Sequence, residues 1–287
     1  MRKVSGGQLN GTLFAILTGQ GKMRKTTAAL MAPPSWRPMA YLDTDQGAAI
    51  RLKMLSATPE ERTAMGVVEK VPEQCGPWMR EGIDFFYPEK GRYYEDCYEF
   101  ATEQSTQYKT IVIDTVSRMA DGILDQIART DYGAVKSRVT VRAKDGTPST
   151  VHPVPADFGM AHERILEIFA SADHSPAHVL LISHEKTGEI REGEVVKRTV
   201  CGPRTVGNAL LEVIPTIVDV ALRLAIKTEL VGGKLTNRVI VRSTNHDIYL
   251  AGDRSGLFAD GEEFDPALMW ERFGRLISMT ATPSEVK

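Results

Sequence analysis

LFAILTGQGKMRKTTAAL, residues 13–30, is the stretch whose reading decides the fold. An apolar, β-prone run from Leu13 to Leu17 feeds a glycine turn that begins at Gly19. Lys25, Thr26 and Thr27 then open an Ala- and Leu-rich run that reads as a helix. Strand, glycine turn, Lys-Thr and helix form a phosphate-binding loop. Backbone N–H groups and the helix N-terminus face the anion, the lysine reaches its outer oxygens, and a threonine hydroxyl holds Mg²⁺. The candidate phosphate contacts are Gly19, Gly21, Arg24, Lys25, Thr26 and Thr27. The pattern G-x-x-x-x-G-K-[ST] is met at Gly19, Lys25 and Thr26, but Arg24 stands where the second glycine belongs. That glycine normally lets the backbone wrap the phosphate, so Arg24 raises the question of turnover. The alternative is an exposed basic turn (Lys22, Arg24, Lys25) capping a helix. It accounts for the charges but not for the Gly-x-Gly ahead of Lys-Thr-Thr.

Three further strand ends carry chemistry. Thr110 to Ile113 (TIVI) reads as a buried strand capped by Asp114, a carboxylate suited to holding Mg²⁺ beside Thr26. Many strands end in Asp merely as a helix cap; the phosphate-binding loop upstream favours the metal role here. Met39 to Leu42 reads as a second strand, ending in Asp43-Thr44-Asp45. Asp45 is the better placed of the two carboxylates to orient or deprotonate an attacking water. The alternative for both is a turn role ahead of Gly47. Val179 to Ile182 is a further strand, followed by Ser183-His184-Glu185. Ligands in open parallel sheets bind at strand C-terminal ends, which makes His184 a candidate sensor of the outermost phosphate.

Around these strands the chain alternates with helices, expected at Tyr93–Gln104, Ser117–Ile127, Asp157–Ala172 and Pro266–Ile277, with Thr58-Pro59-Glu60-Glu61 starting another. Val218–Ile226 and Arg238–Ser243 read as late strands joined at Gly232-Gly233. The fold expected is α/β, a mostly parallel sheet covered by helices on both faces with an antiparallel C-terminal section. Residues 1–12 read as a lead-in, 13–277 as one domain and 278–287 as a tail. Across 287 residues, 42% are hydrophobic and 25% charged, the composition of an ordinary globular protein. A net charge of −2 gives no whole-chain signal for nucleic acid. Cys75, Cys97 and Cys201 are odd in number and widely spaced, against zinc and against a disulfide framework. No signal-peptide core and no long apolar run is present, so a cytoplasmic protein without membrane association is expected.

The order of motifs resembles the RecA-type ATPase core. The matching pieces are GQGKMRKTT (19–27), YLDTDQG (41–47), IVIDTVS (111–117), DFGM (157–160) and LLISHEK (180–186). The chain most resembles short, single-domain phage-encoded ATP-binding proteins of that class, which accompany single-strand-annealing recombination. The resemblance implies ATP and Mg²⁺ as cofactors and, if phage-encoded, the host cytoplasm as location. LAGDRSGLF (250–258) is similar to the Lys/x-x-Arg-x-Gly motif of RadA- and DnaB-type proteins. By that resemblance Arg254 is a finger entering a neighbouring subunit's site, which implies assembly with itself as a ring or filament. Gly252-Asp253 stands where relatives with paired fingers carry a lysine, so one finger is expected. Gln20 holds the place of the signature lysine of another P-loop class.

RecA-type proteins bind single strands through loops after the second-carboxylate helix and after the sensor strand. Two polar stretches fall there. Arg129 to Pro155 carries Arg129, Lys136, Arg138, Arg142 and Lys144 against Asp131 and Asp145, a net +3. Lys186 to Thr205 carries a net +2, with Lys197 and Arg198 among its cations. The DNA contacts expected are Arg138, Arg142, Lys144, Lys197 and Arg198; ordinary solvated loops are the alternative. The function expected is an ATPase acting on or with single-stranded DNA in phage recombination or replication, with an annealing or DNA-binding protein as a further partner. A nucleotide switch without turnover is the alternative kept by Arg24. A helicase or packaging motor is a third, disfavoured by the length of the chain.

Overall fold

Residues 11–66, 71–130, 139–142, 148–245 and 247–281 are described by the computed structural model. The opening stretch forms strand β1 (Phe14–Gly19), buried throughout, and helix α1 (Lys25–Leu30). Ala32-Pro33-Pro34 stops α1, since proline cannot continue a helix. Strand β2 (Met39–Asp43) and helices α2 (Ala48–Ser56) and α3 (Pro59–Ala64) follow. Thr58 starts α3 with a reciprocal cap. Its hydroxyl accepts from the Glu61 N–H at 3.2 Å, and the Glu61 carboxylate accepts from the Thr58 N–H at 2.8 Å. Next come β3 (Ile83–Phe86), α4 (Tyr93–Glu103), β4 (Thr110–Asp114) and α5 (Val116–Thr130).

The second half opens with the short strands β5 (Val139–Arg142) and β6 (Pro148–Val151) and the long helix α6 (Pro155–Asp173). It continues through β7 (His178–Ile182), the hairpin β8 (Glu185–Glu192) and β9 (Val195–Pro203), and the single turn α7 (Ile214–Ile217). Strands β10 (Val220–Val231), β11 (Lys234–Arg242) and β12 (Gly252–Asp253) and helix α8 (Pro266–Ala281) complete it.

The central sheet runs β11-β10-β1-β7-β4-β2-β3, with β12 paired to β10. Every pairing from β10 to β3 is parallel, while β11 and β12 run antiparallel to β10. Side chains alternate between two cores. Ala15, Leu17, Tyr41 and Val112 face α1, α2 and α8, whereas Phe14, Ile16, Leu42 and Ile113 face α4, α5 and α6. Strands buried on both faces read as continuous apolar runs, which is why TIVI and FAIL stand out in the sequence. The Trp270 indole N–H of α8 donates to the Ala28 carbonyl at 2.8 Å, fastening the last helix to the phosphate-loop helix. The mostly parallel sheet with helices on both faces is thus present, antiparallel section included.

Three local expectations need correction. Lys186 to Thr205 is a hairpin rather than a loop: β8 and β9 pair from Glu185↔Pro203 to Glu192↔Val195, and Gly193 turns the chain with φ 61°. Its charges mask the β-branched Thr187, Ile190, Val195, Val196 and Val200 that suit a strand. Arg129 to Pro155 likewise contains structure, since Arg129 and Thr130 close α5 and β5 pairs antiparallel with β6. Arg142 ends β5, whereas Arg138 and Lys144 lie outside the described residues. Helix α8 also continues past Ile277 to Ala281. Among the described residues, no helix is long and apolar enough to cross a membrane.

Candidate phosphate-binding site

The C-terminal ends of β1, β2, β4 and β7 meet at one edge of the sheet, with β7 between β1 and β4. A cleft of about 670 Å³ opens there. Its lining brings together Arg24, Lys25, Thr26, Thr27, Asp45, Asp114 and His184 from four separate segments. Gly19 and Gly21 shape the loop instead of lining the cleft. Gly19 has φ 146°, and a Cβ there would sit 2.7 Å from the Leu224 carbonyl oxygen of β10, so only glycine fits. Gly21 is exposed and has open space beside it. Arg24 adopts the left-handed conformation, φ 61° and ψ 16°, that the missing glycine would take freely. The loop therefore keeps a glycine-like path at that position, with an added guanidinium at the cleft.

Lys25 is 5% exposed, and its ammonium donates to the carbonyls of Gly19 at 2.9 Å and Gln20 at 2.7 Å. Burial pushes its pKa down to about 8, against the pull of the Asp114 and Glu185 carboxylates. The Thr26 hydroxyl donates to Asp114 Oδ2 at 2.7 Å, and the Tyr41 hydroxyl donates to the same oxygen at 2.6 Å. Asp114 Oδ1 is buried without a hydrogen-bond partner among the described residues. Burial pushes the Asp114 pKa up to about 6, opposed by the two hydroxyl donors. An orphaned carboxylate oxygen is costly unless something else satisfies it. Thr26, by giving its proton to Asp114, keeps its oxygen lone pairs for a cation. This donor set fits Mg²⁺, a hard ion bound by oxygen through one or two carboxylates and phosphate.

The two acids after β2 divide their roles. Asp43 caps α2, its carboxylate accepting from the N–H groups of Gly47 at 3.2 Å and Ala48 at 2.8 Å. Asp45 reaches across the cleft mouth. One oxygen lies 3.3 Å from Arg118 Nε and the other 4.0 Å from His184 Nε2. His184 lines the cleft, and burial, followed by the nearby Lys25 charge, lowers its pKa and favours the neutral ring. Glu185 turns away: Arg223 donates to it at 2.8 Å and stacks 3.5 Å above the Tyr249 ring. Thr44 links β2 to β4. Its hydroxyl accepts from the Thr115 N–H at 2.8 Å and donates to the Thr115 carbonyl at 3.0 Å.

Arg254, Lys197 and Arg198 are not brought to the cleft. Arg254 donates to the Thr216 carbonyl, next to β12, whose Asp253 pairs with Val220. Gly19 pairs with Leu224, so Arg254 sits at the opposite end of the sheet from its own phosphate loop. Lys197 pairs with Glu192 at 2.6 Å, and Arg198 with Glu212, on the exposed hairpin. Three residues around the cleft escape sequence reasoning. Tyr41 was legible only as a core aromatic, although it lies two residues before Asp43 on the same strand face. Arg51 donates to the Thr27 hydroxyl at 3.0 Å from α2, and Arg118 reaches Asp45 from α5. Neither arginine sits in a recognisable motif.

A glycine loop, a Lys-Thr helix start and a carboxylate two strands away, with β7 between, define a P-loop NTPase core. The sequence model of the AAA domain family matches residues 13–255, and the chain belongs to that family. No curated protein sequence matches it. Among solved structures, a KaiC-like protein from the hyperthermophilic archaeon Pyrococcus horikoshii is similar, with 12% identity and a TM-score of 0.40. The match covers 92% of this chain and 96% of that one. The family supports nucleotide binding, and P-loop ATPases generally bind ATP with Mg²⁺.

Proposed function

We propose that this chain binds ATP with Mg²⁺, hydrolyses it, and works with single-stranded DNA in phage recombination or replication. The observation that carries the nucleotide reading is the Thr26–Asp114 hydrogen bond, with Asp114 Oδ1 left unpartnered among the described residues beside a buried Lys25. Thr26 and Asp114 would hold Mg²⁺, which would supply charge neutralisation to the phosphates. Lys25 exchanges its two loop carbonyls for phosphate oxygens, and the N-terminus of α1 directs N–H groups at the same anion. Asp45 orients the attacking water and accepts its proton, and neutral His184 hydrogen-bonds the leaving phosphate. Arg254 completes a neighbouring subunit's site in a ring or filament.

The DNA role is supported by two antiparallel strand pairs, β5–β6 and β8–β9, that follow α5 and β7, the second carrying the exposed Lys197 and Arg198. Exposed ion pairs such as Lys197–Glu192 contribute at most about 1 kcal/mol, so they are readily exchanged for backbone phosphates. An annealing or other DNA-binding protein is the further partner. A second reading, a nucleotide switch with little turnover, is kept by the Arg24 side chain at the cleft.

ATP turnover with and without an oligonucleotide, on wild type, Lys25→Ala and Arg24→Gly, separates the two. The first reading expects DNA-stimulated turnover that Lys25→Ala lowers by about 10²–10³-fold, the loss typical of one removed charge-stabilising donor. ATP binding without turnover in wild type, restored by Arg24→Gly, would establish the switch instead. Absence of ATP binding in wild type sinks both.

A further inference from the structure

A second cleft, of about 690 Å³, opens on the far side of Asp45. Lys90 and Gly91 from the loop before α4 form one wall, and Arg118, Gln126 and Arg129 of α5 form the other. Its floor is the Tyr93 ring, packed so closely on α5 that a Cβ at Gly122 would lie 2.5 Å from it. Asp45 lines both clefts, whereas Arg118 lines only the second. The carboxylate is therefore a partition wall. Its Oδ1 lies 3.3 Å from Arg118 Nε on the second-cleft side. Its Oδ2 faces His184 at 4.0 Å and accepts from the Thr115 hydroxyl at 3.5 Å.

The guanidinium holds the carboxylate toward the second cleft and so away from a water in the nucleotide cleft. The restraint is a light one. The Arg118 and Asp45 side chains are 60% and 37% exposed, and pairs of that kind hold by at most about 1 kcal/mol. A phosphate group presents two oxygens to the planar guanidinium fork and outcompetes a single-point contact with a carboxylate. Two more cations reach the same space. Arg129 shares its charge with Asp125 at 2.7 Å, and Lys90, exposed, has no ion pair among the described residues.

We propose that the second cleft is an effector site for a phosphate group, and that filling it draws Arg118 away from Asp45 and frees the carboxylate to serve the nucleotide cleft. The proposal rests on the reading of Asp45 as the group that positions the attacking water. The shared chemistry is a phosphate, carried by a nucleic-acid strand or by a small molecule, and the two sources are separable.

The test uses the full chain incubated with a non-hydrolysable ATP analogue, so that the phosphate loop is engaged. Binding of a labelled oligothymidylate and of pyrophosphate is titrated on wild type, Arg118→Gln and Lys90→Gln, and basal ATP turnover is measured alongside. Arg118→Gln is expected to weaken probe binding about tenfold or more, the loss of one charge-assisted fork. It is also expected to raise basal turnover several-fold and to abolish stimulation by the probe. Lys90→Gln weakens probe binding in the same direction. A response to the oligonucleotide alone assigns the strand as effector, and a response to pyrophosphate as well assigns the phosphate group itself. Probe binding unchanged in Arg118→Gln overturns the proposal, as does a fall in its basal turnover. Failure of the ATPase reading shows separately, as an analogue that does not bind wild type. The Arg118 dependence of probe binding is scored in either case.

Discussion

At Asp114, burial and hydrogen bonding pull in opposite directions. Loss of solvent pushes its pKa up to about 6 although the Tyr41 and Thr26 hydroxyls donate to it. A carboxyl whose folded pKa exceeds its ordinary value stabilises the free protein below that ordinary value, and the contribution is lost as pH rises through about 6. Mg²⁺ needs the ionised form, so metal-dependent nucleotide affinity should fall as pH drops from 7.5 through about 6. Calorimetric titrations on wild type and Asp114→Asn check this: the variant should bind weakly at both ends and lose the pH dependence between them. Lys25 carries the opposite linkage. Burial holds it near 8, and a phosphate alongside restores its proton affinity, so nucleotide binding above pH 8 should be accompanied by proton uptake. Equal binding heats in buffers of different ionisation enthalpy would contradict that. At this scale the sequence was legible where a motif named the residue. It was silent on Tyr41, Arg51 and Arg118, which reach Asp114, Thr27 and Asp45 from elements whose mutual placement no spacing encodes.

Among the elements, β10 connects the two regimes of the sheet. Its first residues pair in parallel with β1 from Ala15↔Val220 to Gly19↔Leu224, and its remainder pairs antiparallel with β11. Arg223, in the overlap, is locked to Glu185, the side chains being 11% and 9% exposed. Removing one member of such a pair leaves a buried charge without a partner, at a cost of about 3–5 kcal/mol. Arg223→Ala should therefore lower unfolding stability by that order, read from denaturant melts. Replacing both Arg223 and Glu185 by leucine should recover much of it. A small loss in the single variant would mean that the pair is not buried in solution. The hairpin β8–β9 shows the limit of reading elements from composition, because dense charge hid a β-branched pattern that the turn at Gly193 closes into two strands.

Across the whole molecule, the register places Asp253 beside Val220 and Gly19 beside Leu224, so Arg254 and the phosphate loop occupy opposite ends of one sheet. An arginine there cannot serve its own cleft, whereas in a head-to-tail assembly it can serve the next. Arg254→Ala and Lys25→Ala should each be inactive alone and recover turnover when mixed, because an interface with one intact loop and one intact finger then forms. Mixtures as inactive as their components, or wild-type turnover independent of protein concentration, would remove the trans finger.

The stretch 13–30 and the strand ending at Asp114 determined the class of fold without help. Strands buried on both faces must be apolar throughout, and a phosphate loop needs its glycine, lysine and hydroxyl contiguous in the chain. Those constraints are local, and local constraints are written in sequence. Tertiary structure alone decided that Asp45 stands between two clefts, that Glu185 belongs to Arg223 rather than to the nucleotide, and that Arg254 faces away from its own site. Each depends on which strands become neighbours and in what register, and residues tens to hundreds of positions apart leave no periodic trace of meeting.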